Sequence, residues 1–126
     1  MAINTMFNYT DIIGAALQAA VLRDSVISNN IANAEVPNFN RNSVRFETYL
    51  GAAVDDFRRT NRLDLTNVRP SVVPEFSDMY YRFDRNNVDI EAEMVDLYQN
   101  SVRFDVLTSG IMHHYRVINM VIGTQI

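Results

Sequence analysis

The chain contains no cysteine, 4 glycines and 3 prolines, and each scarcity removes a class of explanation. Without cysteine there is neither a disulfide framework nor a thiolate site, and cysteine-based catalysis is excluded. So few glycines leave no glycine-rich phosphate loop and no nucleophile elbow, and no paired metal motif occurs, so neither an enzyme nor a cofactor is expected. Lysine is absent too: all 11 basic residues are arginine, a bias from which no function follows. No stretch reaches the roughly 18 apolar residues of a membrane span, and Asp11 breaks the only candidate near the start. Direct membrane insertion is therefore not expected. The first residues also lack the cationic region and continuous apolar core of a cleaved secretion signal. A net charge of −4 and a pI near 5.0 argue against nucleic acid, which needs clustered cations. The one such cluster, Arg58, Arg59 and Arg62, sits beside Asp55 and Asp56 and reads as a solvated face.

What remains is a 126-residue chain, 48% hydrophobic, long enough for one ordinary domain and apolar enough to fold. Between residues 9 and 35, Ile13, Leu17, Ala20, Ile27, Ile31 and Ala34 recur in steps of 3, 4 or 7, interrupted only at Asp24. This a/d spacing predicts an amphipathic helix over about 10–33, capped by Asn8 or Thr10 and ended before Pro37. A second stripe runs through Met94, Leu97, Ser101, Phe104, Thr108, Ile111, Tyr115, Ile118 and Ile122. Asp89 is placed to cap it, Glu91 and Glu93 suit its first turn, and Gly123 its end. At 1.5 Å per residue the predicted helix, about 90–122, is roughly 50 Å long.

The middle is less regular. Phe46, Leu50, Ala53, Val54 and Phe57 read as a short helix, while Val44, Phe46, Thr48 and Leu50 also alternate as a strand would. Pro70 and Pro74 restrict Val72-Val73 to an edge strand. Met79, Tyr81 and Phe83 predict a better one, followed by a turn at Asp84-Arg85-Asn86-Asn87. Residues 38–43 and 60–67 read as loops. The expected architecture is mainly α: residues 1–36 and 89–126 pair as an antiparallel coiled-coil-like α-domain, and 37–88 form a small irregular or β segment. So thin a middle cannot cover two long stripes. The helices should pair with each other and present their remaining apolar flank to partners.

Other features have bland explanations. His113 and His114 are adjacent, so on a helix they point about 100° apart and cannot share a metal ion. Glu91, Glu93, Asp96 and Asp105 read as the wet face of the second helix. The aromatics follow the faces of the predicted elements.

The segment Ser28-Asn29-Asn30-Ile31-Ala32-Asn33-Ala34-Glu35-Val36-Pro37-Asn38-Phe39 resembles the N-terminal signature of the bacterial flagellar rod and hook family, Ala-Asn-Asn-Ile-Ala-Asn, two residues, then Thr-Pro-Gly-Tyr. Val36, Asn38 and Phe39 depart from it. Asn tolerates positive φ almost as glycine does, so the signature turn of Pro37, Asn38 and Phe39 can survive. The run from Tyr81 to Met94, with Asn86-Asn87-Val88-Asp89-Ile90 at its centre, resembles the family's proximal rod members, as does Gln99 to Phe104.

The resemblance implies a structural subunit of the periplasmic rod in the flagellar basal body. It implies contacts with other rod proteins, with the adaptor FliE and with copies of itself, after type III export without a cleaved signal. The Phe46 and Leu50 pair fits an aromatic-x3-apolar pattern proposed for recognition at the export gate. Candidate assembly residues are Ile13, Leu17, Ala20, Ile27, Asn29, Asn30, Ile31 and Asn33 at one end and Met94, Leu97, Phe104, Ile111, Tyr115 and Ile118 at the other. The asparagine carboxamides can bond a neighbouring backbone where Ala32 and Ala34 allow close approach. The rival reading is a soluble two-helix protein-binding module.

Overall fold

The computed structural model describes residues 2–76 and 83–123, with side chains from residue 8 onward. Its elements are α1 (Ala2–Ala32), β1 (Asn42–Arg45), α2 (Glu47–Thr60), β2 (Ser71–Pro74) and α3 (Ile90–Gly123). Chain-distant contacts set the helix pairing: Asn30 meets Glu93, Ala20 meets Asn100 and Tyr9 meets His114. As one index rises the other falls, so α1 and α3 run antiparallel, as the two stripes predict.

α1 is longer than predicted. Helical backbone continues through Asn8 and Thr10 to Ala2, so neither residue is a cap. Residues 2–9 hold no proline or glycine, and a potential cap residue does not by itself stop a helix. α3 begins as expected: Asp89 Oδ1 accepts the amides of Glu91 and Ala92 at 3.0 and 3.3 Å.

The seam on α3 differs from the predicted stripe. Leu97, Ile111 and Ile118 lie on the partly buried side, but the alternate positions shift by one residue. Glu93 and Asn100 are buried and His114 is half-buried where Met94, Ser101 and Tyr115 are predicted to face inward, and those three are exposed. Phe104 is also exposed, at 39%. The physical reason is that the seam is partly polar. Asn100 Nδ2 donates to the Ala20 carbonyl at 2.8 Å across the helix pair, and the His114 ring lies 4.8 Å from that of Tyr9. A polar residue in a helical seam fixes register, and a count of apolar residues cannot locate it. Glu93 is likewise a correction: it is not part of the wet face, whereas Glu91 and Asp105 are exposed.

The helix reading of the middle holds, with Leu50, Ala53, Val54 and Phe57 in α2. Of the strand alternation through Val44, Phe46, Thr48 and Leu50 only Val44 lies in a strand, because the docking of Phe46 on Ala19 accompanies the switch to helix. Asn42–Arg45 is a strand, and the helix starts at Glu47. β1 pairs antiparallel with β2, Val44 opposite Val72, and this two-stranded sheet consumes part of the predicted 38–43 loop. Phe46, at the strand-helix junction, is 3% exposed and packs with Ala19, Ala53 and Val68, so α2 leans on α1 through its one apolar side. Asn61 closes α2 in the left-handed conformation (φ 54°), its amide donating to Phe57 O at 2.7 Å. The strand predicted through Met79 and Tyr81 lies outside the described residues, and Phe83 stands in a turn.

Candidate functional site

The signature residues gather where α1 ends, α3 begins and the middle segment is tied to both. Asn30, in the last full turn of α1, is completely buried. Its carboxamide reads the β1 backbone from both sides: Nδ2 donates to Asn42 O at 2.8 Å and Oδ1 accepts from Asn42 N at 3.0 Å. The same Nδ2 donates to Glu93 Oε2 at 3.0 Å. Asn30 thus bonds a neighbouring backbone as its residue type suggests, but a backbone of its own chain.

Glu93 is 0% exposed, and an ionised carboxylate is stable there only with charge and hydrogen-bond partners. Arg41 supplies them. Its Nε donates to Glu93 Oε1, Nη1 to Glu75 Oε2 at 2.8 Å and Nη2 to Asp96 Oδ2 at 3.0 Å, using the fork of arginine donors that a lysine lacks. Burial would ease deprotonation of this guanidinium, but the hydrogen bonds to Glu93 and Glu75 outweigh it, and its pKa is raised above the ordinary arginine value. Asn87 closes the ring, accepting the Arg41 amide at 2.6 Å and donating to Glu75 O at 2.7 Å.

One turn away Asn86, also buried, holds the signature turn. Its Nδ2 donates to the carbonyls of Asn33 and Val36 at 3.0 and 2.8 Å, and its Oδ1 accepts from Val88 N. The turn needs that support because Asn38 sits at φ 60°, the left-handed conformation anticipated from its place after Pro37. Its amide donates to Asp84 O at 2.8 Å. Asn38→Ala is expected to cost about 1–2 kcal/mol, the left-handed penalty of a side chain with a Cβ and no local hydrogen bond, whereas Asn38→Gly should cost nothing. Thermal unfolding of the two variants checks this; an alanine variant as stable as the parent would contradict it.

The other sequence candidates divide. Ile13, Ala20 and Ile27 are buried, and Leu17, Ile31, Leu97, Ile111 and Ile118 half-buried. Met94, Phe104, Tyr115 and Asn29 face out, and Asn33 Nδ2 turns back to Asn29 O at 2.8 Å. Pro37 and Asn38 are exposed and Phe39 half-buried, while Phe46 is core and Leu50 packs beside it. Arg41, Glu75 and Asn42 were not candidates, nor was Asn100. The signature around Asn30 and Asn38 and the run Asn86-Asn87 ahead of a capped acidic helix start marked this region in the sequence, and nothing local pointed to Arg41, Asn42 or Glu75.

The Asn-Asn-Ile-Ala-Asn motif that resembles the flagellar rod and hook signature thus ends α1, with Asn33 entering the turn, at the point where the paired terminal helices are clamped together. No family model matches the chain, but curated relatives do. It is 32% identical to flagellar basal body rod protein FlgB of Borrelia hermsii, over 97% of this chain and 96% of that one. The FlgB of Borreliella burgdorferi is 34% identical over 84% of this chain and 89% of its own, and that of Bacillus subtilis 31% over 85% and 87%. The chain belongs to the FlgB family of flagellar basal body rod proteins. Among the described residues no helix is long and apolar enough to cross a membrane.

Proposed function

We propose that this chain is a structural subunit of the proximal rod, assembling through lateral packing of its α1–α3 pair against sister rod proteins, the adaptor FliE and further copies of itself. The observation that carries this reading is the surface of α3. At roughly 100° per residue, Met94, Tyr98, Val102, Val95 and Val106 fall within one arc of about 120°, on the side of α3 turned away from α1. All five are exposed, Tyr98 at 73% and Val106 at 65%. α1 already covers the opposite side of α3, so this exposed apolar arc is a second face left to pack against something else. Neighbouring subunits supply that cover, and contacts between unlike surfaces that do not close into a ring yield an open helical array.

Residues 1–36 and 89–126 form the packing α-domain of this proposal, and 37–88 a segment hung on it. Leu17, Met94, Phe104 and Tyr115 then face neighbours, while Ile13, Ala20, Ile27, Leu97, Ile111 and Ile118 join the two helices. The subunit reaches the periplasm through the flagellar type III gate without a cleaved signal. Phe46 and Leu50 are packed in the folded chain, so a gate that reads them acts before folding.

Met112→Asp and Val121→Asp test the assembly reading, since both residues are exposed on the last turns of α3, at 51% and 65%. The expected result is unchanged helicity of the isolated chain and loss of incorporation into basal bodies. Rods that incorporate both variants normally would overturn it.

A further inference from the structure

Two adjoining clefts, of about 480 and 320 Å3, share Arg23, Glu47 and Arg103 and form one groove along the β1–α2 side of the helix pair. One end is charged, with Arg23, Arg41 and Arg103 on its walls beside the carboxylates Glu47 and Asp96, a net excess of one cation. The other is apolar, floored by Ala16, Ala19, Ala20, Phe46, Val106 and Leu107. Arg23 is engaged by Glu47 at 2.7 Å and Arg41 by its carboxylates. Arg103 has no carboxylate partner among the described residues. An unpaired guanidinium beside an apolar floor with small alanines suits an amphipathic helix carrying a carboxylate next to its apolar anchors.

The same chain displays such a ridge elsewhere. Asp89 to Tyr98 holds four carboxylates and no cation. Glu93 and Asp96 are spent on Arg41 and Asp89 on the helix cap, but the Glu91 side chain is exposed and without a partner among the described residues. Met94, Val95 and Tyr98, exposed by 61, 55 and 73%, follow Glu91 at i+3, i+4 and i+7, the spacing of helix-in-groove anchors. We propose that the groove receives the Glu91-Met94-Val95-Tyr98 ridge of a second copy, with Glu91 of that copy paired to Arg103. This rests on the assembly reading and deepens it. Groove and ridge are different surfaces of one chain, so the contact is heterologous and repeats without closing.

The absence of native cysteine makes the contact directly testable in the full chain. With Glu91→Cys and Arg103→Cys in one chain, mild oxidation of isolated basal bodies is expected to give disulfide-linked dimers and higher species, and either single variant none. In parallel, Arg103→Glu or Glu91→Arg alone should lower incorporation about tenfold or more, the scale of a close interfacial charge pair, and the double exchange should restore most of it. Incorporated double-cysteine subunits that do not cross-link would overturn the proposal. So would single-charge losses that the exchange does not rescue, which would mean that the groove takes a different chain. In either case, if Met112→Asp still blocks incorporation, the assembly reading stands while this contact fails.

Discussion

Replacing Arg41 with methionine is expected to cost about 3–5 kcal/mol of folding stability, because it strands the Glu93 carboxylate in a fully buried position. Arg41 is the only cation bonded to Glu93 among the described residues, and its own side chain is 23% exposed. The loss is therefore that of a broken buried pair and not of a surface salt bridge, which is worth about 0–1 kcal/mol. The asymmetry of the pair gives a second measurement. Arg41→Met with Glu93→Leu removes both charges, and replacing a buried pair by apolar residues is often neutral or favourable. The double variant should regain most of what the single one loses. Urea denaturation followed by circular dichroism reads all three chains. A single variant less than about 1 kcal/mol below the parent would show that the junction is not held by this charge pair.

The second large effect is expected at Phe46. Truncation to alanine should cost about 3–5 kcal/mol, the usual loss for a buried ring, since Phe46 is 3% exposed and bridges Ala19 of α1 to Ala53 of α2 and Val68. Because this cluster docks the middle segment, the loss should be local: amide protection across Glu47–Thr60 falls while that of α1 and α3 near Asn100 persists. Equal loss of protection throughout would mean that the middle segment and the helix pair unfold as one. The same variant bears on export, because Phe46 heads the proposed gate motif. A Phe46→Ala chain that reaches the periplasm at the normal rate would remove that residue from the export reading.

Much of the architecture was legible from local rules. The heptad side of α3 marked by Leu97, Ile111 and Ile118 and the capping aspartate at 89 rest on the spacing of residues along one helix, so they survive without tertiary information. The left-handed turn at Asn38 was legible for the same reason. The β1–α2 junction was half legible: the residues around Phe46 carry both periodicities, and the docking of Phe46 on Ala19, a contact distant in the chain, accompanies the switch from strand to helix. The candidate site was least legible. Arg41 lies in a polar stretch that reads as loop, and Glu93 in an acidic first turn that reads as solvent-facing.

By itself the sequence determined two long apolar helices, their antiparallel pairing, the signature turn between them and the family to which the chain belongs, because periodicity, caps and motif spacing are properties of neighbouring residues. Only the tertiary structure decided which side of α3 faces α1. That choice depends on Asn30, Arg41 and Asn100 meeting Glu93 and Ala20 across the fold, and the energy of a polar group in a seam is set by its partner, not by its own place in the chain.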